Sequence, residues 1–258
     1  MDIHTYFRSL SALISHPGYF LRKKKYIFVL SHMRAYTTLI SHILASNNKI
    51  NGYTEQHIPY YGGTDLIRLR YKLFNIYKKT KTLDAEYLLD KLLHNNLTIS
   101  ENILQCKDIS FIVLTRKPSE TVPSIIQMAN RLNLGNLKEL EHTINYYDKR
   151  LTYIEKISEK LNNRFFYIEG DELMDNTDKV LIELTNFLGL DTPLSKEYET
   201  FSLTGKTGIG DSSKYISSGK ILKQRHSGKR PSRVLLDMDS DYEKTIANIR
   251  KHAIKYTT

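Results

Sequence analysis

An arginine and two threonines lie where a helix is predicted to follow a buried strand. Residues 26–30 form a short apolar run, typical of a parallel strand buried on both faces. Apolar residues then recur at helical spacing over residues 39–44. Between them, Arg34, Thr37 and Thr38 combine a cation, two hydroxyls and the amide groups of a helix N-terminus, which suits a phosphate or sulfate. An ordinary threonine N-cap is the alternative reading.

A second basic loop follows the apolar run Ser110–Leu114, which is also predicted to be a buried strand. Arg116 lies at the end of this strand, Pro118 begins a helix, and Ser124 lies eight residues after the arginine. Ligands of doubly wound sheets bind outside the carboxyl ends of the strands. We therefore expect Arg34 and Arg116 to face one ligand, with Arg116 and Ser124 bracketing one phosphate.

A third basic loop lies near the C-terminal end, where helical and strand patterns are lost over residues 204–233. It contains Lys206, Gly208, Gly210 and Asp211 within the sequence KTGIGD. Long loops in compact domains are usually functional or disordered. Each of the three loops is a common pattern alone, and their order and spacing together indicate a binding site.

The remaining pattern predicts one α/β domain over residues 1–258, without repeats or a low-complexity linker. Apolar runs alternate with helical stretches, which favours a three-layer sandwich around a parallel sheet of about four or five strands, resembling that of P-loop nucleoside triphosphatases. The first two strands described are expected to be neighbours. The other predicted strands cover 49–53 and 164–168, and the other predicted helices cover 66–77, 85–93, 137–161, 178–188 and 239–254.

The composition favours negatively charged binding partners but does not identify which kind. Lys and Arg number 38 against 28 Asp and Glu, a net charge of +10 that attracts polyanions. Cys106 is the single cysteine, which excludes an intrachain disulfide. No apolar run is long enough for a membrane span, and no signal peptide is recognised. A cytoplasmic protein is expected. Residues 6–25 are compatible with peripheral membrane contact, although a docked helix is the favoured reading, and the oligomeric state is left open.

Taken together, the three loops resemble those of sulfotransferases that use 3′-phosphoadenosine 5′-phosphosulfate (PAPS). The first motif of that family, Pro-Lys/Arg-Ser-Gly-Thr-Thr, is similar to Met33-Arg34-Ala35-Tyr36-Thr37-Thr38. The second, Arg-Asp-Pro with a serine eight residues after the arginine, is similar to Arg116-Lys117-Pro118 with Ser124. The third, Lys-Gly-x-x-Gly-Asp, looks like residues 206–211.

The resemblance implies a role for each loop. Residues 34–38 would hold the 5′-phosphosulfate, Arg116 and Ser124 the 3′-phosphate, and the loop with Lys206, Gly208 and Gly210 would cover the nucleotide. Two positions depart from the family. Tyr36 replaces a loop glycine, and Gly170 stands where a nucleotide-contacting tyrosine is often found, with Tyr167 as a candidate substitute.

The acceptor side has a less specific motif. Glu55-Gln56-His57 resembles the Glu-x-His element of several carbohydrate sulfotransferases, so Glu55 or His57 is the candidate base, unless both are solvated loop residues. The expected acceptor is a glycan, a glycolipid or another small hydroxyl compound. Tyrosines in 53–61 and the basic helix 68–81 are candidates to line the acceptor groove.

Two other classes of protein share part of this sequence pattern. A kinase shares the strand–loop–helix arrangement, but the Gly-x-x-x-x-Gly-Lys-Ser/Thr motif is absent and residues 31–38 contain neither glycine nor lysine. A non-enzymatic polyanion-binding module would explain the charge, although the basic stretches are not interleaved with a stacking platform for nucleic acid. No metal ion and no nucleic acid are expected, and histidines 42, 94 and 142 are expected to be structural or solvated.

Overall fold

Five parallel strands form one sheet in the order β2-β3-β1-β4-β5. The computed structural model describes residues 16–77, 84–206, 215–222 and 232–254, and the account that follows concerns these residues. The strands are β1 (Lys25–Ser31), β2 (Ile50–Asn51), β3 (Tyr87–Leu92), β4 (Ile109–Thr115) and β5 (Phe165–Glu169). Because β1 pairs with both β3 and β4, it lies at the centre of the sheet.

Helices connect the strands and cover both faces of the sheet. They are α1 (Pro17–Leu21), α2 (Thr37–Ser46), α3 (Gly63–Tyr77), α4 (Glu101–Leu104), α5 (Pro118–Leu132), α6 (Leu140–Leu161), α7 (Gly170–Asp175), α8 (Thr177–Leu188) and α9 (Arg233–His252). Single 3-10 turns occur at Gly135–Lys138 and Ile216–Ser218. None of the helices in the described ranges is both long and apolar enough to cross a membrane.

The alternating side chains of the strands build two apolar layers. On β1, Phe28 and Leu30 belong to the layer that packs against α3, α5, α6 and α9, whereas Ile27 and Val29 belong to the layer that packs against α2 and α8. All four side chains are fully buried. The sheet is therefore apolar on both faces, as the continuous apolar run of β1 predicted. The predicted three-layer α/β fold with a parallel sheet is confirmed.

Most predicted elements are present, with shifted ends. The strands over 26–30 and 110–114 are hydrogen-bonded neighbours, as expected. The second short strand covers only Ile50–Asn51, and the long helix begins at Leu140 after a 3-10 turn. The last helix begins six residues earlier than expected, at Arg233. Gly189 ends α8 in a left-handed conformation (φ 62°), which glycine adopts without strain.

The helix predicted over 85–93 is wrong, because this segment forms β3. Leu88, Leu89 and Leu92 match helical spacing, and periodicity alone cannot distinguish a short apolar run buried on both faces from a helix. The two charged residues between them, Asp90 and Lys91, are buried as well.

Candidate functional site

The carboxyl ends of β3, β1 and β4 open into one cavity of about 620 Å³. Arg34 follows β1, His94 follows β3 and Arg116 follows β4, and all three side chains line this cavity. The common edge follows from the parallel pairing of the three strands. The expectation that Arg34 and Arg116 share an edge of the sheet is met.

The loop between β1 and α2 has an unusual backbone. Arg34 and Tyr36 have positive φ angles of 64° and 61°, which cost non-glycine residues about 1–3 kcal/mol and cluster at functional sites. Tyr36 provides no side-chain cap for α2, and Thr37 and Thr38 of the first helical turn line the cavity. This helix N-terminus has the donors and the dipole direction for an anion. Ala35 packs its side chain into the core, which leaves only its backbone for a ligand.

Arg34 is bonded to the second loop through Ser124. Its Nε donates a hydrogen bond to the Ser124 Oγ, at 2.9 Å. Ser124 itself does not line the cavity, whereas Arg34 does. The serine therefore positions Arg34, and the expectation that Ser124 and Arg116 bracket one phosphate stays a prediction.

Arg116 lies between the first loop and α5. Its Nε and Nη2 pair with Glu120, at 2.8 and 2.6 Å, and its Nη1 donates to the Arg34 carbonyl, at 3.4 Å. The guanidinium also stacks on the Tyr36 ring, 4.5 Å from its centroid. A guanidinium has five N–H groups, so two remain beyond these three contacts, one on each Nη. These two can donate to an anion while the pair with Glu120 persists.

Gly170 explains how Tyr36 fits beside Arg116. A Cβ at position 170 would lie 3.1 Å from the Tyr36 Cδ2 and 3.2 Å from the Arg116 Cβ and Cγ. The two departures from the sulfotransferase motifs are thus spatially coupled, because the ring of Tyr36 occupies space that a side chain at position 170 would need. Tyr167 does not line the cavity and bonds to Thr115 instead, at 2.8 Å.

His32 joins the first two loops, and none of the sequence motifs indicated it. Its Nε2 accepts the backbone N–H of Arg116, at 3.0 Å, so its Nδ1 carries the proton and donates to the Met33 carbonyl, at 2.9 Å. Burial lowers the pKa of His32 to about 4, and the cations of Arg150 and Arg116 act in the same direction. The neutral ring therefore fixes the separation of the two loops at neutral pH.

Glu55 and His57 line the same cavity, in the segment between β2 and α3. A buried carboxylate holds this segment in place. The two oxygens of Asp90 accept the Gln56 N–H, at 2.9 Å, and the Tyr60 hydroxyl, at 2.6 Å. His57 has a positive φ of 51°, a further strained position at this edge. The core thus holds the backbone on either side of His57, while Glu55 is half-buried and the side chain of His57 is exposed.

His94 is the partner of Glu55. Its Nε2 lies 3.3 Å from the Glu55 Oε2, and its ring stacks on that of His57, with centroids 5.6 Å apart. Burial would raise the pKa of Glu55, but the hydrogen bond with His94 and the charge of Lys91, 3.8 Å away, outweigh it and hold this pKa below its usual value. Burial lowers the pKa of His57, against the opposing effect of Glu55.

The expectation that His94 lies in a helical stretch is therefore wrong, since it follows β3 and lines the cavity, and the expectation that it is structural or solvated stays a prediction. Because residues 85–93 were predicted to form a helix, the sequence did not predict that His94 lies at the carboxyl end of a strand. The other two histidines match their expectation. His42 bonds to Thr204 at 2.9 Å, and His142 is exposed beside Glu139.

Glu55, His57 and His94 each offer one ligand atom, and these atoms lie within 4.8 Å of one another. Two imidazoles and a carboxylate form a ligand set that Zn²⁺ accepts. The ammonium group of Lys91 beside Glu55 opposes binding of a dication. No sequence spacing indicated this cluster, because its third member comes from a distant strand. The expectation that no metal is required stays a prediction.

The third basic loop, residues 204–233, is described over residues 204–206, 215–222 and 232–233. Gly208 and Gly210 lie outside the described residues, and Lys206 is exposed and does not line the cavity. Among the described residues of this loop, the basic residue that does line the cavity is Lys220. An antiparallel bridge pairs Lys220 with Glu197. Sequence reasoning missed Lys220, because no local pattern distinguishes it from the other basic residues of the loop.

Solved structures with the same fold are sulfotransferases. The sulfotransferase domain of the curacin biosynthetic pathway matches with a TM-score of 0.57 at 18% identity, over 86% of this chain and 98% of that domain. The sulfotransferase from Alicyclobacillus acidocaldarius matches with a TM-score of 0.54 at 12% identity, over 89% and 95%. The sulfotransferase domain of the Synechococcus PCC 7002 olefin synthase matches with a TM-score of 0.52 at 16% identity, over 86% and 96%. No protein-family model and no curated protein matches the sequence.

Proposed function

We propose that the protein transfers a sulfuryl group from PAPS to the hydroxyl of an acceptor. The observation that carries the proposal is the shared cavity of Arg34 and the Glu55–His94 pair at the carboxyl edge of the sheet. One side of the cavity has the cations and helix N-terminus that an anionic donor requires. The other has a carboxylate paired with an imidazole, which can accept the proton of a hydroxyl. The sulfotransferase fold described above raises the expectation of this chemistry.

The donor would lie along the first two loops. The helix N-terminus at Thr37 and Thr38 would receive the 5′-phosphosulfate, with Arg34 held by Ser124 beside it. The two remaining N–H groups of Arg116 would bind the 3′-phosphate. Lys220 at the cavity, rather than Lys206, would supply the further cation on the nucleotide side.

The reaction balances with these groups. The acceptor oxygen attacks sulfur, the bond from sulfur to the bridging phosphate oxygen breaks, and 3′-phosphoadenosine 5′-phosphate (PAP) leaves. Negative charge grows on that oxygen in the transition state, where the guanidinium of Arg34 stabilises it. The proton of the acceptor passes to the Glu55–His94 pair, or to His57 in the alternative arrangement. Charge neutralisation by Lys91 keeps Glu55 ionised and able to take part.

Calorimetric titration tests the donor half of the proposal without knowledge of the acceptor. PAP should bind with 1:1 stoichiometry in the presence of a chelator. Preference for magnesium-ATP would instead favour a kinase. Tighter binding of long polyanions such as heparin, with steep loss of affinity in salt, would favour a binding module. Either of these results contradicts the proposal.

A further inference from the structure

Part of the cavity lining is aliphatic. Side chains from α3, α5, the end of β3 and two loops form a surface that we name the aliphatic wall. Its members are Met33, Ile76, Leu93, Met128, Leu132 and Leu134. Two of them directly precede residues assigned to the reaction centre, since Met33 precedes Arg34 and Leu93 precedes His94.

On α5, the wall begins at the reaction centre and leads outward. Ser124, which bonds to Arg34, is followed by Met128 and Leu132 at intervals of four residues, so the three lie on one face of the helix. Leu134 follows the left-handed Asn133 that ends the helix, also lines the cavity and is 40% exposed. Apolar side chains of the cavity lining thus extend along α5 from the turn beside Arg34 to the partly exposed Leu134.

Residues on α3 and after β3 also place apolar side chains of the aliphatic wall next to residues of the reaction centre. Lys72 of α3 bonds to the Gln56 carbonyl, between Glu55 and His57, and Ile76 lies one helical turn farther on. Ile76 is 41% exposed although it lines the cavity. Leu93 directly precedes His94. Apolar side chains therefore adjoin the Glu55–His94 pair from both sides.

The groups expected to bind a sugar lie elsewhere. Tyr53 stacks on Phe201 in the interior, with centroids 4.4 Å apart, and Tyr60 is buried against Asp90. Tyr61 is exposed and accepts a hydrogen bond from Thr98. None of these tyrosines lines the cavity, and Ile76 is the one residue of α3 that does. Tyrosines 53, 60 and 61 and the basic residues of α3 therefore lie outside the lining of this cavity, and residues 78–81 of the predicted basic helix lie outside the described residues.

A sugar that entered this space would place several hydroxyl groups against aliphatic carbon. Each hydroxyl would lose its hydrogen bonds to water without gaining a partner, which is unfavourable. An apolar body would instead bury its own surface and that of the exposed leucine and isoleucine. Methionines such as Met33 and Met128 adapt their shape to different apolar ligands.

We infer that the acceptor is an alcohol or phenol whose hydroxyl is attached to an apolar body, such as a long alkyl chain, rather than a glycan. The hydroxyl contacts the Glu55–His94 pair, and the body lies along the aliphatic wall toward Leu134. This inference rests on the proposed sulfuryl transfer, because it treats the cavity as the acceptor site of that reaction.

Alkyl sulfates test the inference, since they mimic the product of such an acceptor. Octyl sulfate below its micellar concentration is titrated into the PAP-loaded protein, with glucose 6-sulfate as the polar comparison. Octyl sulfate should bind and glucose 6-sulfate should not. In a series of hexyl, octyl and decyl sulfates, each added methylene should tighten binding about threefold.

A matched pair of substitutions on α3 separates the cavity from general adsorption. Ile76→Gln should weaken octyl sulfate binding about tenfold. Ile67→Gln is the control, because Ile67 is 61% exposed on the same helix and does not line the cavity. If Ile76→Gln and Ile67→Gln bind octyl sulfate equally well, the inference is overturned. Tighter binding of glucose 6-sulfate than of octyl sulfate would also overturn it.

A titration of PAP precedes these measurements. It distinguishes failure of the proposed sulfuryl transfer from failure of the inferred apolar acceptor. Failure of PAP to bind, with octyl sulfate still bound in a manner that Ile76→Gln impairs, contradicts sulfuryl transfer but not the apolar nature of the cavity. Normal binding of PAP without selective binding of octyl sulfate contradicts the acceptor class alone. A transfer assay with PAPS then compares 1-octanol with maltotriose, and faster sulfation of maltotriose would also overturn the inference.

Discussion

The Nε2 of His94 lies 3.3 Å from the Oε2 of Glu55, although the two residues lie on different connections of the sheet. The contact forms because β2, β3 and β1 are adjacent and parallel, so the segments that follow them meet at one edge. A carboxylate beside an imidazole orients the ring and stabilises its protonated form. This pair therefore has the composition that a base for an acceptor hydroxyl requires.

Removal of either member of the Glu55–His94 pair should lower turnover while donor binding stays intact. We expect Glu55→Gln and His94→Gln each to reduce kcat by about 100-fold or more, the usual scale for a general base. The double variant should lose little beyond either single variant, because the two groups act as a unit. Steady-state kinetics and PAP titration measure the two effects separately.

His57→Gln is the comparison for these variants, because it changes the ring that stacks on His94 without touching the Glu55–His94 contact. A small effect on turnover is expected. If His57→Gln abolishes turnover and His94→Gln does not, His57 is the base and the assignment of His94 is incorrect.

Arg34 and Ser124 should affect the transition state more than the bound donor. Arg34→Ala should lower kcat by about 100-fold or more with a smaller change in donor affinity, because the charge it faces grows during the reaction. Ser124→Ala removes the hydrogen bond that holds the guanidinium but keeps its charge, so the loss should have the same direction and be smaller. A larger effect of Ser124→Ala than of Arg34→Ala would show that Ser124 contacts the substrate itself.

Arg116 should discriminate between nucleotides with and without a 3′-phosphate. Arg116→Ala should weaken PAP binding by about 1.5–3 kcal/mol, the scale of a charge-assisted hydrogen bond, and weaken adenosine 5′-phosphosulfate binding much less. Glu120→Gln is the control, since it removes the pairing charge and keeps the guanidinium. Equal losses for both nucleotides, in a protein with normal thermal unfolding, would contradict the contact with the 3′-phosphate.

Gly170→Ala should impair donor binding through Tyr36 and Arg116. The added Cβ would approach both side chains to 3.1–3.2 Å, so each of them must move by a few tenths of an ångström from its observed position. Crowding of this kind costs about 1–3 kcal/mol, and part of it should be seen as weaker PAP binding in calorimetry. Gly63→Ala is the control, because no atom lies within 4 Å of the Cβ it would add. Unchanged PAP affinity in Gly170→Ala would show that Tyr36 does not need its observed position.

His32 should make the protein less stable in acid. The unfolded chain binds a proton on this residue near pH 6.5, whereas the folded ring does so only near pH 4, so between these values the unfolded state holds more protons and stability falls as pH falls. The loss is up to about 1.4 kcal/mol per pH unit in this window. Burial raises the pKa of Asp90 to about 7, which has the opposite effect on stability.

The contribution of His32 is therefore measured as the difference in the free energy of unfolding between the unmodified protein and His32→Asn. Because both proteins contain Asp90, its effect cancels in this difference. Urea unfolding at pH 7 and pH 5 should show that the advantage of the unmodified protein over His32→Asn shrinks in acid. An advantage that is constant with pH would mean that the folded and unfolded proteins bind the same number of protons at this residue, so that burial does not lower the pKa of His32.

The sequence alone determined the sheet class and the shared edge of the loops that carry Arg34 and Arg116. Residues 26–30 and 110–114 are apolar without interruption, which is the pattern of strands buried on both faces, and parallel pairing then requires the loops after them to share an edge. The shared edge of Arg34 and Arg116 follows from local pattern and topology, so it could be predicted. The helix starts at Thr37 and Pro118 follow from equally local signals.

Only the tertiary structure decided the surroundings of Glu55. Leucine spacing in residues 85–93 fits a helix as well as a strand, and burial on both faces of a sheet settled it in favour of β3. The formation of β3 places His94 beside Glu55, and packing elsewhere bonds Ser124 to Arg34 and buries Tyr53 and Tyr60 in the core. Each of these contacts joins residues that are distant in sequence, and their geometry depends on strand order and side-chain packing rather than on any local pattern.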